Sequence, residues 1–129
     1  MNNFHPTAPF PATVLHSVHI TWNDDVDPDH GTRVAEALNT YAATVPGLLF
    51  YRAGTDLALR ENTANFGIVA VFDTATHYQA YAADQGHHAI IDELIAPRAR
   101  ARTSTQIALP PDFSLDTTAL PAPHPFGAT

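Results

Sequence analysis

The chain has 129 residues, a hydrophobic fraction of 45%, a charged fraction of 15% and a formal net charge of -7. A length of this order suits a single globular domain, and the acidic balance argues against nucleic acid and anionic membrane surfaces as partners. Cysteine and lysine are both absent, which excludes disulfides, thiolate chemistry and Schiff bases on a lysine side chain.

Three zones of different composition divide the chain. Residues 1–11 hold three prolines without periodicity and predict a loose arm, and residues 12–108 predict the folded domain. Residues 109–129 are rich in proline and small residues and predict an extended tail. The tail is either disordered alone or clamped across a partner subunit through Phe113, Leu115 and Phe126. Neither a secretion signal nor an apolar run of about 18 residues is found, so we expect a cytoplasmic protein without a membrane span.

The first strand predicted from the sequence is "TVLHSVHITW". The residues on one of its faces, spaced by two, are Val14, His16, Val18, Ile20 and Trp22. His19 falls on the opposite face, where we expect it to lie beneath a helix. "NDDVDPDH" supplies turn and capping residues for a helix from Pro28 to Ala43, and Pro46 and Gly47 end that helix.

The following residues predict two more strands, two short helices and a last strand. "LLFYRAG" and "NFGIVAVF" are rich in the β-branched and aromatic residues that favour strands. Asp73 and Thr74 cap a short helix through Tyr81, and we expect Gly86 to follow its C-terminus. "HHAIIDELI" predicts another short helix, which Pro97 ends, and "RARTSTQIAL" predicts the last strand.

The predicted order is β-α-β-β-α-β, with the second helix broken in two. This order is typical of the ferredoxin-like α+β fold. The helices cover one face of the sheet and leave the other face bare, and a bare apolar face needs a partner. The simplest partner is a second copy of the chain. We therefore expect a homodimer in which two sheets close into an α+β barrel, with a ligand in the barrel interior.

The order and spacing of these segments resemble the stress-responsive A/B barrel (Dabb) family of dimeric α+β barrels. The resemblance covers about residues 12–108 and rests on "VLHSVHITW", "VPGLL", "IVAVFDTATHYQAY" and "YAADQGHH". The family commonly has a tyrosine, five residues and a histidine in the last segment, and Tyr81 and His87 fit this spacing. Two positions depart from the pattern. The pair Asp84-Gln85 replaces a common His-Pro, and Phe66 stands where a plant cyclase of this type has a polar residue.

Some members of this family are cofactor-free polyketide cyclases, which close a ring in a linear poly-β-ketone by an intramolecular aldol reaction. The resemblance implies that His87 is the base and Tyr81 its hydrogen-bonding partner. The predicted substrate-binding residues are His16, Val18, Ile20, Trp22 and Phe66. We expect a small-molecule substrate, no cofactor and no metal at this site.

The break in the second helix bears on whether this chemistry is feasible. Six residues apart on an unbroken helix, Tyr81 and His87 would point about 240° from each other. A break at residues 84–86 allows them to converge on one cavity. Neutral imidazole, with an ordinary pKa of about 6.5, is suited to take a proton at neutral pH. The resulting enolate needs a hydrogen-bond donor, which either the tyrosine hydroxyl or the protonated imidazole could supply.

Two other functions fit the same sequence. A cofactor-free monooxygenase would use the same base to make a carbanion that reacts with oxygen. A non-catalytic small-molecule-binding or stress-associated dimer would use the cavity without turnover.

Several other polar residues have two interpretations each. His88 and Asp92, four apart on a helix, could bind a metal or form a hydrogen bond. His30 and His77 are predicted to lie on the surface. The basic run comprises Arg98, Arg100 and Arg102. It predicts either a site for a carboxylate or carrier phosphate, or a solvated or interface surface.

Overall fold

The computed structural model describes residues 12–115 of the chain. Its elements in chain order are β1 (Val14–Trp22), α1 (His30–Ala42), β2 (Leu48–Thr55), β3 (Phe66–Phe72), α2 (Ala75–Ala83), α3 (Gln85–Ile90) and β4 (Ala99–Ala108). A single π-helical turn, Ile91–Ile95, follows α3 directly. The strands form one antiparallel sheet in the spatial order β2-β3-β1-β4. The predicted ferredoxin-like α+β fold and the broken second helix are confirmed.

The ends of the predicted domain lie partly outside this range. The arm, residues 1–11, and the tail beyond residue 115, including Phe126, are not among the described residues. The first part of the tail stays close to the domain, because the Leu109 amide donates to the Thr13 carbonyl at 2.8 Å. Leu115 is exposed in the single chain, and the clamp across a partner subunit stays a prediction.

The first helix begins two residues later than predicted. The amide of His30 donates to the Asp27 carbonyl at 2.9 Å. Residues 27–30, which include Pro28, therefore form a turn before the helix. The predicted stop after the helix is present, with Gly47 in the left-handed region at a φ of 83°. A Cβ atom at Gly47 would overlap the ring of His77, so this position needs glycine for both its backbone conformation and its packing.

The helices cover the face of the sheet to which the even-numbered residues of β1 point. On this face Val14, His16, Val18 and Ile20 are all buried, whereas His19 on the other face is exposed. The prediction that His19 lies beneath a helix is therefore wrong. The physical reason is that the helices bury the face with the larger apolar side chains, since apolar burial drives their packing.

The buried side chains form two clusters. The first consists of Val18, Ile20, Val34, Leu38, Ala53, Phe66, Ile68 and Ile95. The second consists of Ala70, Phe72 and Tyr81, with Tyr41, Tyr51 and Tyr78 among the partly buried residues packed around it. Because Tyr81 is itself part of this second cluster, one predicted catalytic residue is built into the hydrophobic core.

His30 lies in the core and not on the surface as predicted. It is 2% exposed, and its Nε2 donates to the carbonyl of Leu94 at 2.7 Å. The first turn of α1 packs against the π-helical turn, and this contact between distant parts of the sequence buries the imidazole. His77 is half-exposed, with its Nδ1 2.6 Å from an Asp73 carboxylate oxygen.

The other face of the sheet is bare, as the sequence predicted. Phe50, Val69 and Ile107 are 45%, 39% and 54% exposed, and their strand registers place them on the face opposite the helices. Exposed apolar rows of this kind mark contact surfaces. Among residues 12–115, no helix has the length and apolar character required to cross a bilayer.

Candidate active site

The site begins at the junction between α2 and α3, where Asp84 adopts an extended conformation. Its carboxylate accepts hydrogen bonds from the amides of Gly86 at 2.9 Å and His87 at 3.3 Å. Asp84 is therefore the N-cap of a new helix. The prediction that Gly86 follows the end of the preceding helix is wrong, since Gly86 lies in the first turn of α3. The cap turns the chain and sets the direction of His87.

The junction brings Tyr81 and His87 together, as the spacing argument requires. Their ring centroids are 4.1 Å apart with an interplanar angle of 37°. His16 joins them from β1, with its ring centroid 5.9 Å from Tyr81 and 4.9 Å from Tyr78. Three residues from two distant segments of the sequence thus meet beneath the helices.

These residues line a cavity of about 200 Å³ between the sheet and the helices of one protomer. Val18 and Ile20 form part of its apolar wall, and strand β4 contributes Arg102 and Ser104. The expectation of a ligand between the two sheets of a dimer is not met by this cavity. Since an apolar cavity of about 150 Å³ holds benzene, the volume suits a molecule with one ring.

Two predicted substrate-binding residues lie elsewhere. Trp22 and Phe66 are not among the residues that line the cavity. A shift of strand register between Thr21 and Trp22 breaks the period-two pattern on which the prediction for Trp22 depended. Trp22 packs against Phe66 and His30, at centroid distances of 5.6 Å and 5.0 Å. The pair fills the core beside α1.

The surroundings of His87 keep its ring neutral. Burial lowers the pKa of this imidazole to about 4, and the nearby charges of His88, His16 and Arg102 act in the same direction. The Asp84 carboxylate opposes the shift. The Nδ1 atom is buried and has no hydrogen-bond partner among the described residues. His87 is therefore a neutral imidazole with an unused nitrogen at neutral pH.

His16 is held in one orientation by β4. The Gln106 side-chain amide donates from Nε2 to His16 Nδ1 at 3.0 Å, which places the ring proton on Nε2. Burial lowers the pKa of this imidazole, so it too is neutral at pH 7. A hydrogen bond with the Thr105 backbone acts on this pKa in the opposite direction and is the weaker of the two effects.

The tyrosine hydroxyls of the second cluster are protonated at neutral pH. Burial raises the pKa of Tyr81 to about 12, and it raises the pKa of Tyr51 as well. The two hydroxyls lie near enough to affect each other's pKa. Neither of them forms a hydrogen bond of normal geometry within residues 12–115. Tyr81 therefore keeps a hydroxyl proton that it can donate.

Sequence reasoning missed two groups that hold this site. Tyr41 donates to the Asp84 carboxylate at 2.7 Å, a contact across 43 positions for which the sequence carried no signal. Ser104 and Gln106 were also missed, and they share the helix-covered face of β4 with Arg102, which the basic run had already marked as a candidate. In "RTSTQ" these residues are spaced by two, and this spacing is the signal by which they could have been placed on one face of the strand.

The remaining candidates make local contacts. His88 donates from Nε2 to the Ala82 carbonyl at 2.9 Å. Within the described part of the chain, no three His, Asp or Glu side chains gather closely enough to hold a metal ion. Arg98 donates to the Glu93 carbonyl at 3.2 Å. Of the basic run, Arg102 alone lines the cavity.

Replacing Asp84 with alanine is expected to loosen the start of α3. The amides of Gly86 and His87 lose their acceptor, so their hydrogen exchange should become faster by about tenfold or more. Exchange measured by NMR in the native protein and in Asp84→Ala tests this, with Asp25→Ala as an exposed control. Unchanged exchange at both amides in Asp84→Ala would contradict the capping role.

The comparison with known families decides the identity of this domain. The sequence matches the family model of the stress responsive A/B barrel domain, Dabb, over residues 14–107. The chain belongs to the Dabb family. A Dabb domain was the expectation from the sequence, and the matched range coincides with β1 to β4.

Solved structures similar to this Dabb protein share its fold. A dimeric ferredoxin-like protein of unknown function from Thermobifida fusca YX is 31% identical, with 84% of this chain and 97% of that chain covered and a TM-score of 0.71. The hydroxynitrile lyase from Passiflora edulis is 13% identical, with 81% and 99% covered and a TM-score of 0.67. A Dabb family protein from Mesorhizobium loti is 14% identical, with 77% and 97% covered and a TM-score of 0.63. No curated protein matches significantly.

Proposed function

We propose that this Dabb protein is a cofactor-independent enzyme that cyclises a polyketide-like carbonyl substrate, with His87 as the base and Tyr81 as the donor. The observation that carries the proposal is their arrangement. A neutral imidazole and a protonated tyrosine lie 4.1 Å apart between ring centroids, both lining a cavity of one-ring size. A neutral base and a donor for the enolate are the two groups that an aldol closure requires.

In the first step, His87 takes a proton from a methylene group between two carbonyls. The electron pair left on carbon delocalises onto a carbonyl oxygen, and the Tyr81 hydroxyl stabilises the enolate by a hydrogen bond. In the second step, the carbanion attacks a carbonyl carbon further along the chain and a carbon–carbon bond forms. The new alkoxide takes the proton back from the His87 imidazolium. Loss of water from the aldol then gives an unsaturated ring.

The apolar wall contributes by orientation. Val18, Ile20 and Ile68 line the cavity beside the three polar residues, so a flexible chain must fold back on itself to enter. Holding two reacting carbons of one molecule near each other is a large source of rate acceleration.

The fold of the hydroxynitrile lyase from Passiflora edulis supports an enzymatic role. Its TM-score of 0.67 shows that a closely similar fold is found in a lyase. At 13% identity, the similarity concerns the fold and gives no residue a role. The assignment of His87 and Tyr81 depends on the Dabb resemblance of their segment and on the cavity of this chain.

The activity is expected to persist to unusually low pH. A general base works in its neutral form, and burial lowers the pKa of His87 to about 4. Values of kcat/KM should therefore stay level from pH 7 down to about pH 5 and fall below about pH 4, as free-enzyme pKa values govern this parameter. A pH profile measured where circular dichroism shows intact folding tests this. An inflection near the ordinary histidine pKa of about 6.5 would contradict it.

The proposal is tested with a panel of poly-β-ketone acids and thioesters. Cyclised products, detected by mass spectrometry as loss of water from the substrate, are expected with the native protein. Oxygen uptake that matches substrate loss would favour the monooxygenase instead. Binding of panel members without turnover would favour the non-catalytic dimer.

We also propose that the protein is a homodimer that buries its bare sheet face against a second copy. Similar structures from Thermobifida fusca and Bacteroides fragilis are described as dimeric, and this face carries the exposed Phe50, Val69 and Ile107. The cytoplasmic location and the absence of nucleic-acid partners stay predictions from the sequence.

Replacing Ile107 with aspartate is expected to convert the dimer into monomers, because the change places a charge in an apolar interface. Light scattering after gel filtration should show twice the chain mass for the native protein and a single chain mass for Ile107→Asp. Leu57→Asp, at a loop position that is 78% exposed, should stay dimeric. A native protein of single chain mass would refute the dimer.

A further inference from the structure

We propose that Arg102 is a specificity-determining residue that binds a carboxylate of the substrate at the edge of the cavity. The enzyme would then act on keto acids in preference to their neutral esters or amides. This inference rests on the proposed function, since it names the chemical class of molecule that the same cavity accepts.

The partners of the neighbouring arginines separate Arg102 from the rest of the basic run. Arg100 pairs with the Asp24 carboxylate at 3.0 Å, and Arg98 donates to the Glu93 carbonyl. Arg102 lines the cavity, and its guanidinium has no hydrogen bond or ion pair within residues 12–115. Its guanidinium donors are thus available to a ligand. Within residues 12–115, no Asp or Glu side chain lines this cavity, so none of them neutralises the charge of Arg102 there.

The position of Arg102 on β4 sets the geometry of binding. It lies opposite Ile20 in the strand register and shares the helix-covered face with Ser104 and Gln106, the residue that holds His16. Arg102 is exposed, whereas Val18 and Ile20 behind it are buried. A ligand anchored at Arg102 would place its anionic end near solvent and its apolar carbons deeper in the cavity.

The guanidinium fits a carboxylate for a chemical reason. Its planar fork of donors matches the two carboxylate oxygens, so it binds a carboxylate in two parallel hydrogen bonds. The chain carries a net charge of -7, and its overall field repels anions. A local cation is therefore needed if an acid is to bind. Arg102 is also close enough to His87 to lower its pKa, and a bound carboxylate would offset that effect and make His87 a stronger base.

A matched pair of probes tests the inference without turnover. Benzoate and benzamide have the one-ring size of the cavity and differ in charge, and their binding is followed by NMR titration of the native protein and its variants. We expect benzoate to bind about tenfold or more tightly than benzamide, with shifts of the His87 ring signals. Arg102→Met should lose this preference, and Arg102→Lys should keep part of it. Arg100→Met, the control with an exposed partner, should keep all of it.

Several outcomes would overturn the inference. These are equal binding of the two probes, no binding of benzoate to the native protein, and an unchanged preference in Arg102→Met. Tighter binding of phenyl phosphate than of benzoate would assign Arg102 to the phosphate of a carrier and overturn the carboxylate. A benzoate preference without turnover of any panel member would refute the proposed cyclase and leave this inference standing. Cyclisation of a panel member without a benzoate preference would refute this inference and leave the proposed cyclase standing.

Discussion

Replacing His87 with alanine is expected to lower kcat/KM by about 10²–10⁴-fold, which is the usual contribution of a general base. Among the described residues, the substituted protein has no other base in the same position. His16, the second cavity histidine, accepts a hydrogen bond at Nδ1 and carries its proton on Nε2. It therefore presents a donor and cannot replace His87. Initial rates of product formation with a substrate found in the panel measure the loss.

The matched control is His77→Ala. His77 lies on α2 beside Asp73 and is not among the residues that line the cavity of His87. Its removal should therefore leave the rate within about twofold. Tyr81→Phe should give a smaller loss than His87→Ala, since it removes one hydrogen bond to the enolate and keeps the ring that packs on His87. More than about a tenth of native activity in His87→Ala would contradict its role as base.

Replacing Phe72 with alanine is expected to lower the free energy of unfolding by about 3–5 kcal/mol. Phe72 is fully buried, and its ring centroid lies 5.7 Å from Tyr78 and 5.1 Å from Tyr81. Truncation leaves a void beneath both tyrosines, so the loss combines the transfer of the ring with an unfilled cavity. Urea unfolding at one fixed protein concentration measures it, because the stability of a dimer depends on concentration.

Leu59→Ala is the control for this prediction. Leu59 is 81% exposed, and surface changes of this kind usually alter stability by less than about 0.5 kcal/mol. A loss below about 1.5 kcal/mol in Phe72→Ala would show that the tyrosine cluster collapses into the void. The core that packs against Tyr81 would then be less rigid than the proposed mechanism requires.

The sequence predicted those features that depend on neighbouring residues. The strands and helices follow from local periodicity. The break between Tyr81 and His87 is visible because helix-ending and capping residues stand in a row at positions 84–86. The resemblance to the Dabb family singled out the two residues, and the break allowed their side chains to converge. Their ring distance of 4.1 Å agrees with that prediction, and their roles in catalysis stay predictions.

The features that were missed depend on contacts between distant segments. His30 is buried by Leu94, 64 positions away, and His16 is held by Gln106, 90 positions away. A strand pattern shows that two faces differ, but the packing of the helices decides which face is covered. The prediction for His19 was wrong for this reason. The local shift in register at Trp22 has no marker such as glycine in the sequence. The role of Asp84 as a cap did have a local signal, because aspartate is a favoured N-cap residue.

The central claim is that His87 removes a proton from carbon without a cofactor. Exchange of the methylene hydrogens of ethyl acetoacetate with deuterated water, followed by NMR, measures this step directly and needs neither the natural substrate nor a carboxylate at Arg102. The native protein and His77→Ala should accelerate exchange in proportion to their concentration, whereas His87→Ala should return it to the rate in buffer. Equal exchange rates for the native protein and His87→Ala would contradict the account.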